Sequence, residues 1–159
     1  MKPLHPLQLA ALLLLVGWAA WRDLRSRRIP NSLTLPALLI GIVGHGLADG
    51  LPGAGSALAG AAVGGVVLGL VYLLGGMGAG DVKLMAAVGA LLGWPLAVAA
   101  LLCTAIAGGV LALLWVICRW LASGRRTARG GASLRKIRLP YGVAIAAGTL
   151  WIIARGVLR

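Results

Sequence analysis

Long apolar runs, separated by short segments that carry nearly all of the charge, determine what this chain can fold into. Hydrophobic residues make up 60% of its 159 residues, and charged residues make up only 11%. Soluble domains are about 45–50% apolar, and a chain this poor in polar groups cannot cover a water-exposed surface. The runs therefore predict an all-α membrane protein, because each helix satisfies its own backbone hydrogen bonds inside lipid.

The spacing of the runs predicts one domain, residues 1–159, built as a bundle of six transmembrane helices. The spans are expected at residues 7–21, 33–47, 56–74, 82–95, 97–118 and 141–157, with a basic cytoplasmic loop at 119–140. As a single helix, the stretch from Leu84 to Cys118 would measure about 52 Å against a hydrocarbon core of about 30 Å. The tripeptide Gly93-Trp94-Pro95 is expected to break it, because proline continues a helix poorly and tryptophan favours the membrane interface.

The positions of the basic residues predict the orientation of the bundle. With six spans, both termini lie on one side, which then carries three Lys and Arg residues against twelve on the other. Cytoplasmic loops carry the excess of positive charge, so both termini are predicted to be non-cytoplasmic. If residues 84–118 formed a single span, the split would be five against ten, so the charge pattern supports the break. The net charge of +12 then indicates contact with anionic lipid head groups and not with nucleic acid.

The acidic residues are the strongest candidates for chemistry, because the chain has only three and all are aspartates. Asp49 belongs to the turn-like segment Asp49–Gly53 on the outer side, where a structural role is sufficient. Asp23 and Asp81 lie 58 residues apart, yet the predicted topology places both at the cytoplasmic ends of spans one and four. Carboxylates beside hydrocarbon are costly, and such residues are usually functional.

Two adjacent carboxyl groups share protons, because both cannot ionise cheaply side by side. One can then act as general base on a water molecule while the other acts as general acid, as peptide hydrolysis without a metal requires. The paired aspartates of aspartic proteases are coupled in this way, which supports the hypothesis by analogy only. The alternative is structural: Asp23 could pair with a neighbouring arginine and Asp81 with Lys83, as ordinary interfacial ion pairs.

Glycine-rich sequence precedes Asp81, in the run Gly75-Gly76-Met77-Gly78-Ala79-Gly80. Such a run is poor helix, and its free N–H and C=O groups could hold an extended substrate peptide by strand addition. The alternative is that the run forms a plain flexible loop. The run is not a phosphate-binding loop, because no Gly-Lys-Ser/Thr follows the glycines. At the start of span two, Asn31 or Ser32 is expected to cap the helix, a role that leaves no need for a catalytic one.

Three segments together resemble the type IV prepilin peptidase family, in particular its short form associated with tight-adherence and Flp pili. Asp23–Asn31 resembles the first aspartate motif, and Gly78–Lys83 resembles the second, the G-x-G-D-x-K signature. Leu139–Ile145 resembles the start of the last span of the family. The segments occur in the same order as in the family and cover nearly the whole chain.

The resemblance implies a multi-pass aspartic endopeptidase of the bacterial inner membrane that removes the leader from prepilin-like precursors. It implies Asp23 and Asp81 as the catalytic pair, with no cofactor and no metal. Gly78, Gly80 and Lys83 match motif positions and are expected to bind substrate or support the site. Longer members of the family carry an N-terminal domain with paired C-x-x-C motifs and also methylate the new N-terminus. This chain shows no such motif, so methyl transfer is not expected.

Other functions are compatible with parts of the pattern. A proton- or ion-coupled transporter also uses membrane acids and glycine-broken helices, usually near the middle of the bilayer. A non-catalytic subunit of a pilus or secretion assembly would tolerate replacement of both acids. A hydrolase using Ser26 or Ser32 with Lys83 is conceivable, although nothing in the sequence activates either serine. The oligomeric state is left open by the sequence.

Overall fold

The computed structural model of the chain describes residues 6–26, 30–122 and 141–157, and the predicted basic loop falls mostly outside these residues. The regular elements are helices: α1 (Pro6–Ser26), α2 (Asn31–Leu73), α3 (Ala79–Leu92), α4 (Trp94–Ala122) and α5 (Tyr141–Val157). Over the described residues the all-helical prediction is confirmed. In that part of the chain three helices, α1, α2 and α4, are long and apolar enough to cross a membrane.

Helix α2 consists of two helical halves that meet at Gly50. This glycine has φ 67° and ψ −151°, outside the helical region, and it lies in the segment interpreted as a turn. Pro52 follows in the first turn of the second half, where the missing N–H of proline costs no hydrogen bond within the helix. A side chain on Gly53 would overlap the carbonyl oxygen of His45, so the two halves fold back closely on each other beside the turn.

Both halves of α2 pack against α3, in opposite directions. Contacts of the first half advance along α3 in parallel: Asn31 with Lys83, Gly41 with Ala90, and His45 with Leu91. Contacts of the second half run antiparallel: Gly60 with Gly89, Gly64 with Met85, and Gly69 with Val82. Residues 31–49 and 51–73 therefore form a helical hairpin that holds α3 between them, and the described chain contains six helical segments. How many of these segments cross the membrane stays a prediction.

Helix α3 is the centre of the bundle. It contacts each of the other four helices, and most of its side chains from Leu84 to Leu92 are buried. Its 14 residues span about 21 Å, less than the thickness of the hydrocarbon core. It ends at Gly93, whose φ of 76° breaks the helical path. The break expected at Gly93-Trp94-Pro95 thus falls on Gly93, and Pro95 lies in the first turn of α4, where proline is tolerated.

The contacts define two ends of the bundle. At the acid end, named for Asp23 and Asp81, α1 finishes and α2, α3 and α5 begin. At the opposite end lie the Gly50 turn and the junction of α3 with α4, where the Trp94 N–H donates to Ser56 Oγ over 3.1 Å. Helix α4 returns antiparallel to α5, because Thr104 meets Gly148 and Gly108 meets Ala144. Successive helical segments thus alternate in direction.

The close approach of α2 to α3 at Gly60 and Gly64 depends on the missing side chains. A methyl group on Gly64 would lie 2.6 Å from the Met85 carbonyl oxygen, and one on Gly60 would overlap the Gly89 carbonyl oxygen. Small residues of this kind allow two helix backbones to meet inside a membrane. The central position of α3 therefore requires glycine on the facing side of α2.

We expect Gly64→Ala to destabilise the bundle by about 1–3 kcal/mol, because the added methyl group forces α2 away from the backbone of α3. Thermal unfolding in detergent micelles measures the change. Gly55→Ala, in the same half of α2, is the matched control because a methyl group there meets open space. Equal melting temperatures for the two variants would contradict the role of this contact.

Candidate active site

Asp23 lies near the end of α1 and points into the bundle. Its side chain is only 7% exposed, and its Oδ2 atom accepts a hydrogen bond from the Gly142 N–H over 2.8 Å. Gly142 is in the first turn of α5, whose early N–H groups have no acceptor within their own helix. A carboxylate at this position satisfies one such group and is favoured by the positive end of the helix dipole.

Asp81 occupies the third position of α3, with Gly78 as the residue that precedes the helix. It is 8% exposed, and its Oδ2 atom accepts a hydrogen bond from the Gly78 N–H over 3.1 Å. The Asp81 N–H in turn donates to the Gly78 carbonyl oxygen over 3.1 Å. An acid at this position that reaches back to the helix start is a common cap, and it fixes the carboxylate by local geometry.

The two aspartates lie at the same end of the bundle. Asp23 is close enough for its charge to reach the carboxyl group of Asp81, although the two residues belong to α1 and α3. Both side chains are buried at the acid end, and each has one oxygen atom held by a glycine N–H at a helix start. Two carboxyl groups at one end of a bundle are the arrangement that general acid–base catalysis with a water molecule requires.

The glycine run before Asp81 is ordered by its own hydrogen bonds. Gly75 has φ 80° and its N–H donates to the Tyr72 carbonyl oxygen, while the Gly76 N–H donates to the Val71 carbonyl oxygen. These two bonds form a Schellman motif that ends α2. The Gly78 N–H is engaged by Asp81, as described above. The expectation that these glycines present free N–H groups for strand addition is therefore wrong for Gly75, Gly76 and Gly78.

Lys83 is bound to the start of α2 and not to the acid pair. Its Nζ atom donates to Asn31 Oδ1 over 2.9 Å at an exposed position, and within the described chain it forms no ion pair with Asp81. Asn31 thus joins the starts of α2 and α3. The expected helix cap by Asn31 or Ser32 is wrong, because Pro30 precedes α2 and no side chain caps its start.

Two candidates remain: Asp49 lies at the opposite end of the bundle, and Gly80 lies between Gly78 and Asp81. Asp49 is exposed beside the Gly50 turn at the opposite end, where with His45 and Ser56 it lines an open cavity of about 580 Å³. Gly80 is half-buried in the first turn of α3, between Gly78 and Asp81. Across the described ranges, no three His, Cys, Asp or Glu side chains gather closely enough to hold a metal ion.

Gly142 is a residue of the site that was not predicted from the sequence. It belongs to a segment noted only for its resemblance to a family motif, and its contact with Asp23 spans 119 positions of sequence. The sequence feature that could have indicated this contact is a glycine in the first turn of a helix that was predicted to start at the level of the acids. Such a glycine allows another helix to approach the exposed N–H groups closely.

The chain resembles known proteins over much of its length. The type IV leader peptidase family matches residues 10–113, a range that includes both Asp23 and Asp81 and ends before α5. A protein of Xanthomonas campestris pv. campestris named prepilin leader peptidase/N-methyltransferase is 39% identical over 104 residues, covering 61% of this chain and 36% of the relative. Proteins of the same name from Aeromonas hydrophila and Dickeya chrysanthemi are each 38% identical, over 104 and 100 residues. The match to the Aeromonas protein covers 61% of this chain and 36% of that relative, and the match to the Dickeya protein covers 58% and 35%.

The chain thus spans about a third of the length of the curated relatives that it matches. No solved structure matches it. The family match nevertheless covers well over half of the chain and contains the two buried acids with the glycines before Asp81. This chain belongs to the type IV leader peptidase family.

Proposed function

We propose that this protein is an aspartic endopeptidase that removes the leader peptide from prepilin-like precursors. Asp23 and Asp81 are the proposed catalytic residues, and they act together on one water molecule. One carboxylate takes a proton from the water as it attacks the peptide carbonyl, and the other carboxyl group gives a proton to the departing amine. Because the two groups are coupled, neither has a fixed role in the resting enzyme.

One observation carries this proposal: two buried carboxyl groups, supplied by different helices, lie within direct electrostatic range of each other. Burial lowers the local dielectric constant, so the charge of one carboxyl group is less screened from the other than it would be in water. The glycine N–H bonds to Asp23 and Asp81 hold the two groups in place before a substrate arrives. Pre-positioned groups of this kind avoid reorganisation during the reaction.

The other motif residues are proposed to support the site. Gly78 donates its N–H to Asp81, and Gly80 lies in the turn between them. Lys83 joins the start of α3 to the start of α2 through Asn31, which keeps the two helix starts in register. Lys83 is therefore proposed to act on the framework of the site and not on the acids.

The protein is proposed to reside in the cytoplasmic membrane of a bacterium, with six spans and with the acid end facing the cytoplasm. Anionic lipid head groups are the proposed partners of its basic residues. The position of the acids favours a peptidase over a transporter, because transporter sites usually lie near the middle of the bilayer. The name of the relatives also includes methyl transfer, but only the peptidase activity is proposed for this chain.

We expect Asp23→Asn and Asp81→Asn each to reduce cleavage of a pilin precursor by at least about 10³-fold, because an amide can neither accept nor deliver the required proton. Each variant is purified in detergent, and release of the leader is followed by mass spectrometry. Asp49→Asn is the matched control, since Asp49 is exposed at the opposite end, and it should cleave at the wild-type rate.

Normal cleavage by either Asp23→Asn or Asp81→Asn, with the protein folded, would reject the proposed dyad. Loss of cleavage in Asp49→Asn with both other acids intact would point instead to the opposite end of the bundle. If all three variants inserted normally and supported pilus assembly, a non-catalytic assembly role would be favoured.

The proposed orientation predicts which positions a membrane-impermeant maleimide can label in intact cells. In a background with Cys103→Ser and Cys118→Ser, Leu51→Cys in the exposed turn at the opposite end should react. Ser32→Cys at the acid end should react only after the membrane is permeabilised. The reverse pattern would contradict the orientation while leaving the helix arrangement intact.

A further inference from the structure

The start of α5 forms a close contact with the end of α1. The Gly142 N–H donates to Asp23 Oδ2 over 2.8 Å, and this hydrogen bond is buried. We propose that Gly142 is a positioning residue, which sets the place of the Asp23 carboxylate through its backbone N–H and through the absence of a side chain. The inference rests on the proposed function, in which Asp23 is catalytic.

The steric part of the argument comes from the space around Gly142. A Cβ atom at this position would lie 2.9 Å from Asp23 Oδ2, 3.0 Å from its Cβ and 3.1 Å from its Cγ. The 2.9 Å contact is shorter than Cβ atoms in proteins make, and the other two are tighter than most, so a side chain would displace the carboxylate or separate α5 from α1. Asp23 is only 7% exposed, so its displacement must be absorbed inside the bundle.

The electrostatic part comes from the position of Gly142 in its helix. The N–H groups of a first turn lack acceptors within the helix and carry its positive partial charge. The two acids are thus held alike, Asp81 by the start of α3 and Asp23 by the start of α5. The two hydrogen bonds differ in sequence separation. The bond to Asp81 joins residues three positions apart, whereas the bond to Asp23 forms only when α5 packs against α1. The placement of Asp23 therefore depends on α5.

A purely structural cap on α5 would need the same hydrogen bond, so stability alone does not separate the two roles. The turnover number does separate them. If Gly142 positions Asp23, its replacement lowers kcat in the folded fraction and leaves KM nearly unchanged, because the substrate-binding surfaces are kept. If it only caps α5, the folded fraction keeps its kcat and only the melting temperature falls.

We expect Gly142→Ala to lower kcat for the pilin precursor by about 10- to 100-fold, the cost of misplacing a catalytic group by a fraction of an ångström to one ångström. KM should change less than about threefold. Rates are measured in detergent and divided by the folded fraction from thermal unfolding.

Two glycines supply matched controls. Gly148→Ala, on the same helix, puts a methyl group 2.6 Å from the Thr104 backbone nitrogen, so it should lower the melting temperature but retain kcat. Gly17→Ala, on the helix that carries Asp23, meets open space and should change neither quantity.

A backbone ester tests the N–H without adding atoms and serves if Gly142→Ala does not fold. Glycolate in place of Gly142, introduced by semisynthesis, replaces the N–H with an oxygen and should lower kcat about tenfold. Wild-type kcat for the ester, or for a folded Gly142→Ala, would overturn the inference, as would a raised KM at constant kcat. Asp23→Asn, measured in parallel, keeps the two claims apart: if it cleaves normally, the proposed function fails, whereas if it is inactive, only the role of Gly142 is at stake.

Discussion

Two buried carboxyl groups are the constraint on which this structure depends. A carboxylate removed from water needs hydrogen-bond donors, and inside a bundle of apolar helices the unpaired N–H groups at helix starts are the ready supply. The protein uses this supply twice, with Gly78 before α3 and Gly142 at the start of α5. The two acids can therefore be buried only where helix starts supply N–H donors, and both conditions are met at the acid end.

The rest of the fold keeps these helix starts in register. Helix α3 is short and mostly buried from Leu84 onwards, so it cannot be held by the membrane alone and is held by its neighbours. The hairpin of α2 encloses it through glycine contacts at Gly41, Gly60 and Gly64, where both backbones meet directly. The Lys83–Asn31 hydrogen bond adds a polar tie at the acid end, beside the two acids. Rigid support of this kind is what a site built from two separate helices requires.

The helices and the placement of Asp23 and Asp81 at one end of the bundle were predictable from apolar runs and loop charge, because both follow from one-dimensional patterns. The ordering of the glycine run was partly predictable: Gly75 after a long apolar helix is a usual Schellman stop. The Gly142 contact and the Lys83–Asn31 bond were not predictable in the same way. Each joins residues distant in sequence, and it depends on how the helices rotate and pack, which periodicity alone does not fix.

The central claim is that Asp23 and Asp81 face each other in the folded protein, and a cross-link measures this directly. In a chain with Cys103→Ser and Cys118→Ser, the pair Asp23→Cys and Asp81→Cys is treated with a short bifunctional thiol reagent. The account predicts one reagent molecule bridging the two positions, whereas the pair Asp49→Cys and Asp81→Cys should take up two separate molecules. Two unlinked labels on the first pair, in protein that remains folded, would contradict it.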